Sequence, residues 1–513
     1  MKNSRTFIYN AFVLLSVTLV MRTVGMYFNV YLSGRIGAEA MGVYSLISSV
    51  YGFGITLATS GINLATTRLI SESTGPDAAA RRRRIIKCCL GYALMFSALA
   101  TIALVSLSGV AAYRWLGDAR CQRPLIILAL SLPPIALTSC LNGYFTARRQ
   151  VIKNSVTVFV EQGVRIALTV ILLTHLLPAG VEYACISLAL GSLAAELCSL
   201  IIMSLFYLFT ARRDRPETGV VSPVLRPLLA ISLPVALSSY VRSGLLTLEH
   251  ALIPACLRRY GASAQTSLAL YGSLHGMAMP LVLFPALFIT SFAGLLVPEL
   301  AESRSQGDSV RSRHIINTTL RLSSLFTLGV SGIMLCFAKP LGSLLYPGSP
   351  DTATFIALMS PLIPVMYLDT MTDVMLKGIG EQFYSMVVNI ADALLSVILV
   401  VILLPRLGIY GYVLVIYIGE LLNFALSICR LIAVGHVRPD LVNWLVKPTM
   451  AIIGATSLTR LIVMLCDAEF TAAGLTWAII CCVFVYLLLL RGLYALGRND
   501  LNGFIRLVRD RKA

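Results

Sequence analysis

The sequence predicts an all-α polytopic membrane protein with fourteen transmembrane helices: two pseudo-twofold-related six-helix lobes plus two C-terminal helices. Three observations carry that expectation. Of the 513 residues 57% are hydrophobic and 13% charged, with a mean hydropathy of +0.83. Soluble domains carry roughly 25% charged residues, so this chain belongs in a bilayer. Apolar stretches recur along its whole length, each long enough to cross a hydrocarbon core of ~30 Å, which takes about 20 helical residues. The third observation is self-similarity. RIGAEAMGVYSL, opening at Arg35, and RYGASAQTSLALYGSL, opening at Arg259, share the frame R-x-G-A-x-A, then a tyrosine (Tyr44, Tyr271), a small-residue-rich span and a closing Glu-Ser at Glu72 and Glu302. The arginines are 224 positions apart and the tyrosines 227. Two related halves are a common transporter design, and both copies follow a first long helix, so the repeat is read as parallel, its axis along the membrane normal.

In chain order, Lys2 and Arg5 precede a span from about Phe7 to Leu32, too long for a signal peptide's apolar region and followed by no small-residue cleavage site. Further spans are expected near Met41–Thr66, Ile86–Tyr113, Leu125–Phe145, Val151–Leu176 and Tyr183–Phe209. They make up an N-terminal lobe of residues 1–213. The polar, Pro-bearing segment 214–227 is read as the inter-lobe linker. A second lobe, 228–438, holds spans near Leu228–Leu257, Thr266–Leu300, Ile315–Ala338, Thr354–Leu376, Phe383–Leu404 and Tyr410–Val434. Spans near Val446–Cys466 and Ala472–Leu490 lie in 439–513, with a basic tail. LNGYFTARRQVIKNS at Leu141 and LKGIGEQFYSMVVNI at Leu376, each ending the fourth helix of its lobe, are a second local echo.

Lys and Arg set the orientation. On the fourteen-span reading, 28 of the 41 fall in the loops of one side, eight in those of the other and five within spans. The positive-inside rule therefore predicts that both termini are cytoplasmic. The net charge of +17 becomes a topology signal, with contact to membrane lipid and no nucleic acid. The tail Leu501–Lys512 reads equally as a short helix on the inner leaflet or a frayed basic end. Nearly all twelve cysteines lie inside apolar spans and read as small packing residues, with Cys121 in an outer loop. The five histidines show no ligand spacing, so no metal site is expected. No phosphate-binding loop, no H-E-x-x-H and no G-x-S-x-G is present, so no catalytic residues and no cofactor are expected and the chain is read as no enzyme.

Ionisable residues inside the spans carry the functional expectation, because an arginine at mid-membrane costs ~2.5–3.5 kcal/mol and usually faces a cavity or a partner. Arg22 lies in the first span with no carboxylate in that span, which favours a cavity. Glu161 and Arg165, at i and i+4, share a helix face, as a self-neutralising pair or as cavity groups. Arg242 and Glu249 share a face two turns apart, and pairing between them is an even alternative to separate roles. His275 sits in the eighth span, and Asn389 and Asp392, at i and i+3, in the eleventh. Pro133, Pro134, Pro234, Pro280, Pro285, Pro361 and Pro364 fall within spans as static kinks or hinges.

RIGAEAMGVYSL, SGINLATTRLISE from Ser60, LNGYFTARRQ, VEQGVRIALTVIL from Val160, the stretch Leu270–Ser303 and LGIYGYVLVIYI from Leu407 resemble the multidrug/oligosaccharidyl-lipid/polysaccharide (MOP) exporter superfamily. Within it the likeness is to the stage V sporulation protein B-like polysaccharide-biosynthesis membrane proteins. Lipid II flippases are more distant, and Met21–Gly25 fits their first-helix S-R-x-x-G pattern except at Met21. The resemblance implies a bacterial plasma-membrane flippase for a polyprenyl-diphosphate-linked saccharide, a lipid-linked oligosaccharide, working by alternating access. It implies substrate-binding roles for Arg22, Arg165, Arg242, Glu161 and His275, a tail groove at the last two helices, and coupling to Na+ or H+ through Glu249, Asn389 and Asp392. The spacing of the last two differs from the flippase pattern. A cation-coupled multidrug or organic-cation antiporter and a non-transporting envelope or spore assembly scaffold are the competing readings.

Overall fold

The computed structural model describes residues 2–73, 78–213, 224–437, 439–465 and 471–493, and every regular element among them is helical. The tail at Leu501–Lys512 and most of the 214–227 connection lie outside the described residues. The helices are α1 (Lys2–Thr59), α2 (Ile62–Ser71), α3 (Ala78–Val110), α4 (Gln122–Ala129), α5 (Leu132–Ala147), α6 (Val151–Leu176), α7 (Val181–Arg213), α8 (Leu225–Tyr260) and α9 (Ala264–Tyr271). They continue with α10 (Met279–Leu283), α11 (Ala286–Ser305), α12 (Ser309–Cys336), α13 (Ala338–Leu345), α14 (Pro350–Met359), α15 (Ile363–Gly378), α16 (Gln382–Leu407), α17 (Ile409–Gly435), α18 (Lys447–Leu465) and α19 (Ala472–Gly492). By contacts the chain divides into unit 1, Met1–Asn29 with Glu39–Gly272, and unit 2, Val30–Ala38 with Ser273–Ala513. This partition falls at Gly272, whereas the repeat-based reading divides the chain in the 214–227 segment.

Among the described residues eleven helical segments are long and apolar enough to cross a membrane, or twelve if the pair flanking the 42° bend between α4 and α5 counts as one span. The chain is thus a multi-pass membrane protein. The difference from fourteen has two sources. The expected first and second spans lie on one helical run, α1, interrupted at Gly37, whose φ of 77° and ψ of 174° no helix allows. The expected eighth span is broken into α9, a π-helical turn at Gly272–Ala278, α10 and α11, none of which is among the eleven.

Several prolines read as kinks inside helices instead begin new ones. Pro133 and Pro134 stand in the first turn of α5, Pro280 in that of α10 and Pro364 in that of α15, where the missing N–H has no intrahelical partner to lose. Pro285 caps α11, Pro361 lies in a 3₁₀ turn, and Pro234 remains inside α8.

The repeat is visible in how each unit handles these breaks. Pro133 leaves the Ala129 carbonyl without its usual donor, and Thr101 Oγ1 of α3 supplies one at 3.1 Å. In unit 2 Pro364 does the same to Ser360, whose carbonyl accepts from Ser331 Oγ of α12 at 2.7 Å. Donors, acceptors and prolines are each about 230 positions apart. Glycines match as well. A Cβ on Gly143 of α5 would meet the Asn63 carbonyl of α2 at 2.7 Å, and one on Gly378 of α15 would meet Leu300 of α11 at 3.0 Å. Gly37 and Gly261, the glycines of the two R-x-G-A-x-A frames, both hold positive φ, 77° and 110°. Within unit 1 the two frames also meet directly. Glu39 takes a hydrogen bond from Gln265 at 3.0 Å and an ion pair from Arg120 at 2.8 Å. Cys121, expected in an outer loop, follows Arg120 and is fully buried there.

Candidate functional site

In unit 1 the ionisable groups converge where α6 meets α7, a long antiparallel pair joined by a short 3₁₀ turn. Glu161 and Arg165 form the i,i+4 pair expected from their spacing, at 2.8 Å. A third member was not expected: Glu196 of α7 lies 3.2 Å from the same Arg165 nitrogen and is the more buried of the two carboxylates. The Arg165 side chain is 30% exposed, so the cluster is half-screened. Two carboxylates around one guanidinium leave an excess of one negative charge when all are ionised. Hydroxyls line the surroundings. Tyr44, the tyrosine of the first frame, interacts with Arg165 and with Ser48 and Ser192. Tyr51 hydrogen-bonds Ser131 at 2.5 Å and feels the charges of Glu196 and Arg165.

Arg22 stands apart from that cluster. It is exposed and forms no hydrogen bond or ion pair among the described residues. One turn further along α1, a Cβ on Gly25 would lie 3.8 Å from Gln162 of α6, so this part of α1 runs beside α6. Glu161, a possible partner for Arg22, is held by Arg165 instead.

On α8, Arg242 is exposed and Glu249 buried, and they form no ion pair with each other. Seven residues of helix separate their Cα atoms by about 10.5 Å, so pairing would need both side chains extended towards each other. Glu249 acts instead on Tyr271, the tyrosine of the second frame, whose hydroxyl bonds His250 Nδ1 at 2.8 Å.

Unit 2 contains a network of another kind. Asp373 of α15 accepts from Ser385 Oγ at 2.6 Å and from Asn389 Nδ2 at 3.1 Å, with Lys377 Nζ at 3.8 Å. Asn389 thus faces α15. Asp392, one turn on, faces α17, where a Cβ on Gly419 would come within 2.8 Å of its carboxylate. The two side chains thus lean towards different neighbouring helices, about 60° apart around α16. Glu249 belongs to unit 1 and Asn389 and Asp392 to unit 2. His275 lies in the π-helical turn and its Nε2 bonds the Tyr412 hydroxyl at 2.8 Å. No group of three or more His, Cys, Asp or Glu residues able to hold a metal ion occurs among the described residues.

The profile of the polysaccharide biosynthesis protein family matches residues 7–304, more than half of the chain. The chain belongs to that family, within the MOP exporter superfamily. It is 27% identical over 431 residues to stage V sporulation protein B of Bacillus subtilis (strain 168), covering 82% of each chain. Among solved structures it resembles a lipid II flippase MurJ in an inward closed conformation, with a TM-score of 0.71 and 14% identity over 94% of this chain and 100% of that one. It also resembles an inward-facing multidrug resistance MATE family transporter, with a TM-score of 0.64 and 16% identity over 84% of this chain and 100% of that one. At these identities the two structures show the shared fold.

Proposed function

We propose that this protein is a flippase that moves a polyprenyl-diphosphate-linked saccharide from the inner to the outer leaflet. The observation that carries this reading is Arg22, an exposed guanidinium inside a spanning helix with no carboxylate partner among the described residues. Its planar fork binds phosphate oxygens in pairs, so a diphosphate is the ligand it fits best. Arg242, also exposed on a spanning helix, adds positive charge in the same unit. Membership of the polysaccharide biosynthesis protein family and a 22% identity to a lipid II flippase of Bacillus subtilis (strain 168) support the same substrate class.

Fourteen crossings fit this function. The run Leu19–Ser71 has 53 residues, about 80 Å of helix at 1.5 Å per residue against a core of ~30 Å, so α1 crosses twice with Gly37 at the turn. The broken segment α9–α11 completes the count. On this reading both termini are cytoplasmic and the last two helices hold the polyprenyl tail. Single-cysteine labelling tests it: an outside-only reagent reaches positions 120 and 258 and leaves 81–84 untouched.

Glu161, Arg165 and Glu196 favour a second reading within the same architecture, cation coupling, because their excess negative charge suits a proton or sodium ion. Organic-cation antiport would use the same excess. The deciding experiment is flipping of a fluorescent lipid-linked saccharide by the reconstituted protein. Arg22→Ala abolishes flipping and Arg22→Lys loses most of it, with both variants accumulating normally. Normal flipping by Arg22→Ala, together with proton-driven export of an organic cation by the wild type, overturns the flippase reading.

A further inference from the structure

A cavity of about 340 Å³ opens between α3, α5 and α7, away from the ionisable cluster. Gly91, Leu94, Leu137, Leu141, Ser204 and Tyr207 line it, and its wall is almost wholly apolar. Gly91 keeps one side open, since no heavy atom lies within 4 Å of where its Cβ would stand.

The same face of α3 changes character along its length. Arg84, Lys87, Gly91 and Leu94 follow at spacings of three, four and three, which puts them on one stripe, and all four are exposed. The stripe thus runs from two cations to the cavity mouth. The other two helices repeat the gradient at the same end. Past Leu141, α5 reaches Tyr144, whose hydroxyl accepts from Arg148 Nη1 at 2.5 Å and whose ring meets Tyr207 edge-on with centroids 5.3 Å apart. Past Tyr207, α7 reaches Thr210, which takes a hydrogen bond from Lys153 Nζ at 2.6 Å, and Ala211, whose carbonyl accepts from Arg83 at 2.6 Å. The N-terminal end of α3 and the C-terminal ends of α5 and α7 therefore gather cations just beyond one end of the cavity.

We infer that this is a binding site for an anionic phospholipid, with an acyl chain in the cavity and the headgroup phosphate at Arg84 and Lys87. In a bilayer an apolar cavity alone selects no lipid, because every tail is as apolar as leucine. Selectivity comes from the cations, which attract anionic headgroups where they stand at the membrane surface. The site shares no residue with Arg22 or the Glu161–Arg165–Glu196 cluster, so it stands independently of the transported substrate.

The test is native mass spectrometry of the full chain in detergent, titrated with phosphatidylglycerol and with phosphatidylcholine of identical acyl chains. The wild type retains phosphatidylglycerol preferentially. Arg84→Gln with Lys87→Gln weakens that binding by roughly fivefold for each cation removed and leaves phosphatidylcholine unchanged. Gly91→Leu fills the cavity without meeting the backbone and lowers phosphatidylglycerol retention with the cations intact. Equal retention of the two lipids by the wild type overturns the proposal without recourse to any variant. Undiminished binding by the Gln pair or by Gly91→Leu also overturns it, as does displacement of phosphatidylglycerol by an equal concentration of undecaprenyl phosphate.

Discussion

In unit 1 one guanidinium, that of Arg165, lies between the carboxylates of Glu161 and Glu196, whereas in unit 2 the Asp373 carboxylate is met by a hydroxyl and an amide, with Lys377 farther off at 3.8 Å. Both arrangements satisfy acidic groups on spanning helices. The first does so by opposite charge, which acts strongly at low dielectric and fails as a whole when the cation is lost. The second does so by neutral donors, each replaceable at moderate cost. A guanidinium that meets two carboxylates recurs at Arg120 with Glu39 and Asp118 in unit 1 and at Arg311 with Glu299 and Glu302 in unit 2, but Arg165 is the one that ties α6 to α7.

The largest effect expected from this comparison is that of Arg165→Ala. It leaves two carboxylates uncompensated and costs about 3 kcal/mol, the low end for a broken buried pair because the side chain is partly exposed. Thermal unfolding in detergent should show a much lower Tm, and Glu161→Gln with Glu196→Gln in the same chain should recover most of it. An unchanged Tm would mean that water, not Arg165, compensates these carboxylates. Next comes Asp373→Ala, which strands the donors of Ser385 and Asn389 at about 1–3 kcal/mol. Here Ser385→Ala in the same chain should restore part of the loss.

Smaller again, and equal in the two units, are the effects of Thr101→Val and Ser331→Ala. Each removes the side-chain donor to a carbonyl that a proline has orphaned, for about 1 kcal/mol. Unequal losses would show that the two breaks are alike in sequence position but not in energetics. Smallest is Arg22→Ala, which removes no bond among the described residues and should shift the Tm by less than ~0.5 kcal/mol equivalent while flipping is lost. A large loss of stability there would make Arg22 a structural residue.

Much of this was legible in the chain. Hydropathy exposed the spanning helices, and the R-x-G-A-x-A frames exposed the repeat because a glycine with positive φ tolerates few substitutes. The i,i+4 spacing of Glu161 and Arg165 exposed their pair because helical periodicity fixes neighbours on one rod. Contacts between rods were not legible. Glu196 was missed although it is a lone carboxylate in SLAAELCSL, and that isolation was the available signal. Asp369 and Asp373 likewise stand at i and i+4 in an apolar stretch, with Lys377 four further on. Spacing of three grouped Asn389 with Asp392, but that Asn389 reaches Asp373 of α15 could be seen only with both helices in place. The bend at Pro133 and Pro134 was legible, but only the neighbouring helix shows whether a freed carbonyl finds a donor.

The excess charge at Glu161, Arg165 and Glu196 has an electrical consequence. With both carboxylates ionised the cluster carries a net charge of −1 and feels the transmembrane voltage, and carrying one elementary charge through the whole field takes about 2.3 kcal/mol per 100 mV. Any rearrangement that shifts α6 and α7 along the membrane normal would do a fraction of that work, in proportion to the part of the field crossed. A single bound proton cancels the charge and makes the same movement electrically silent. Membrane voltage and proton occupancy would then act on one coordinate, and the current that accompanies a shift of the cluster would report whether the proton was on board.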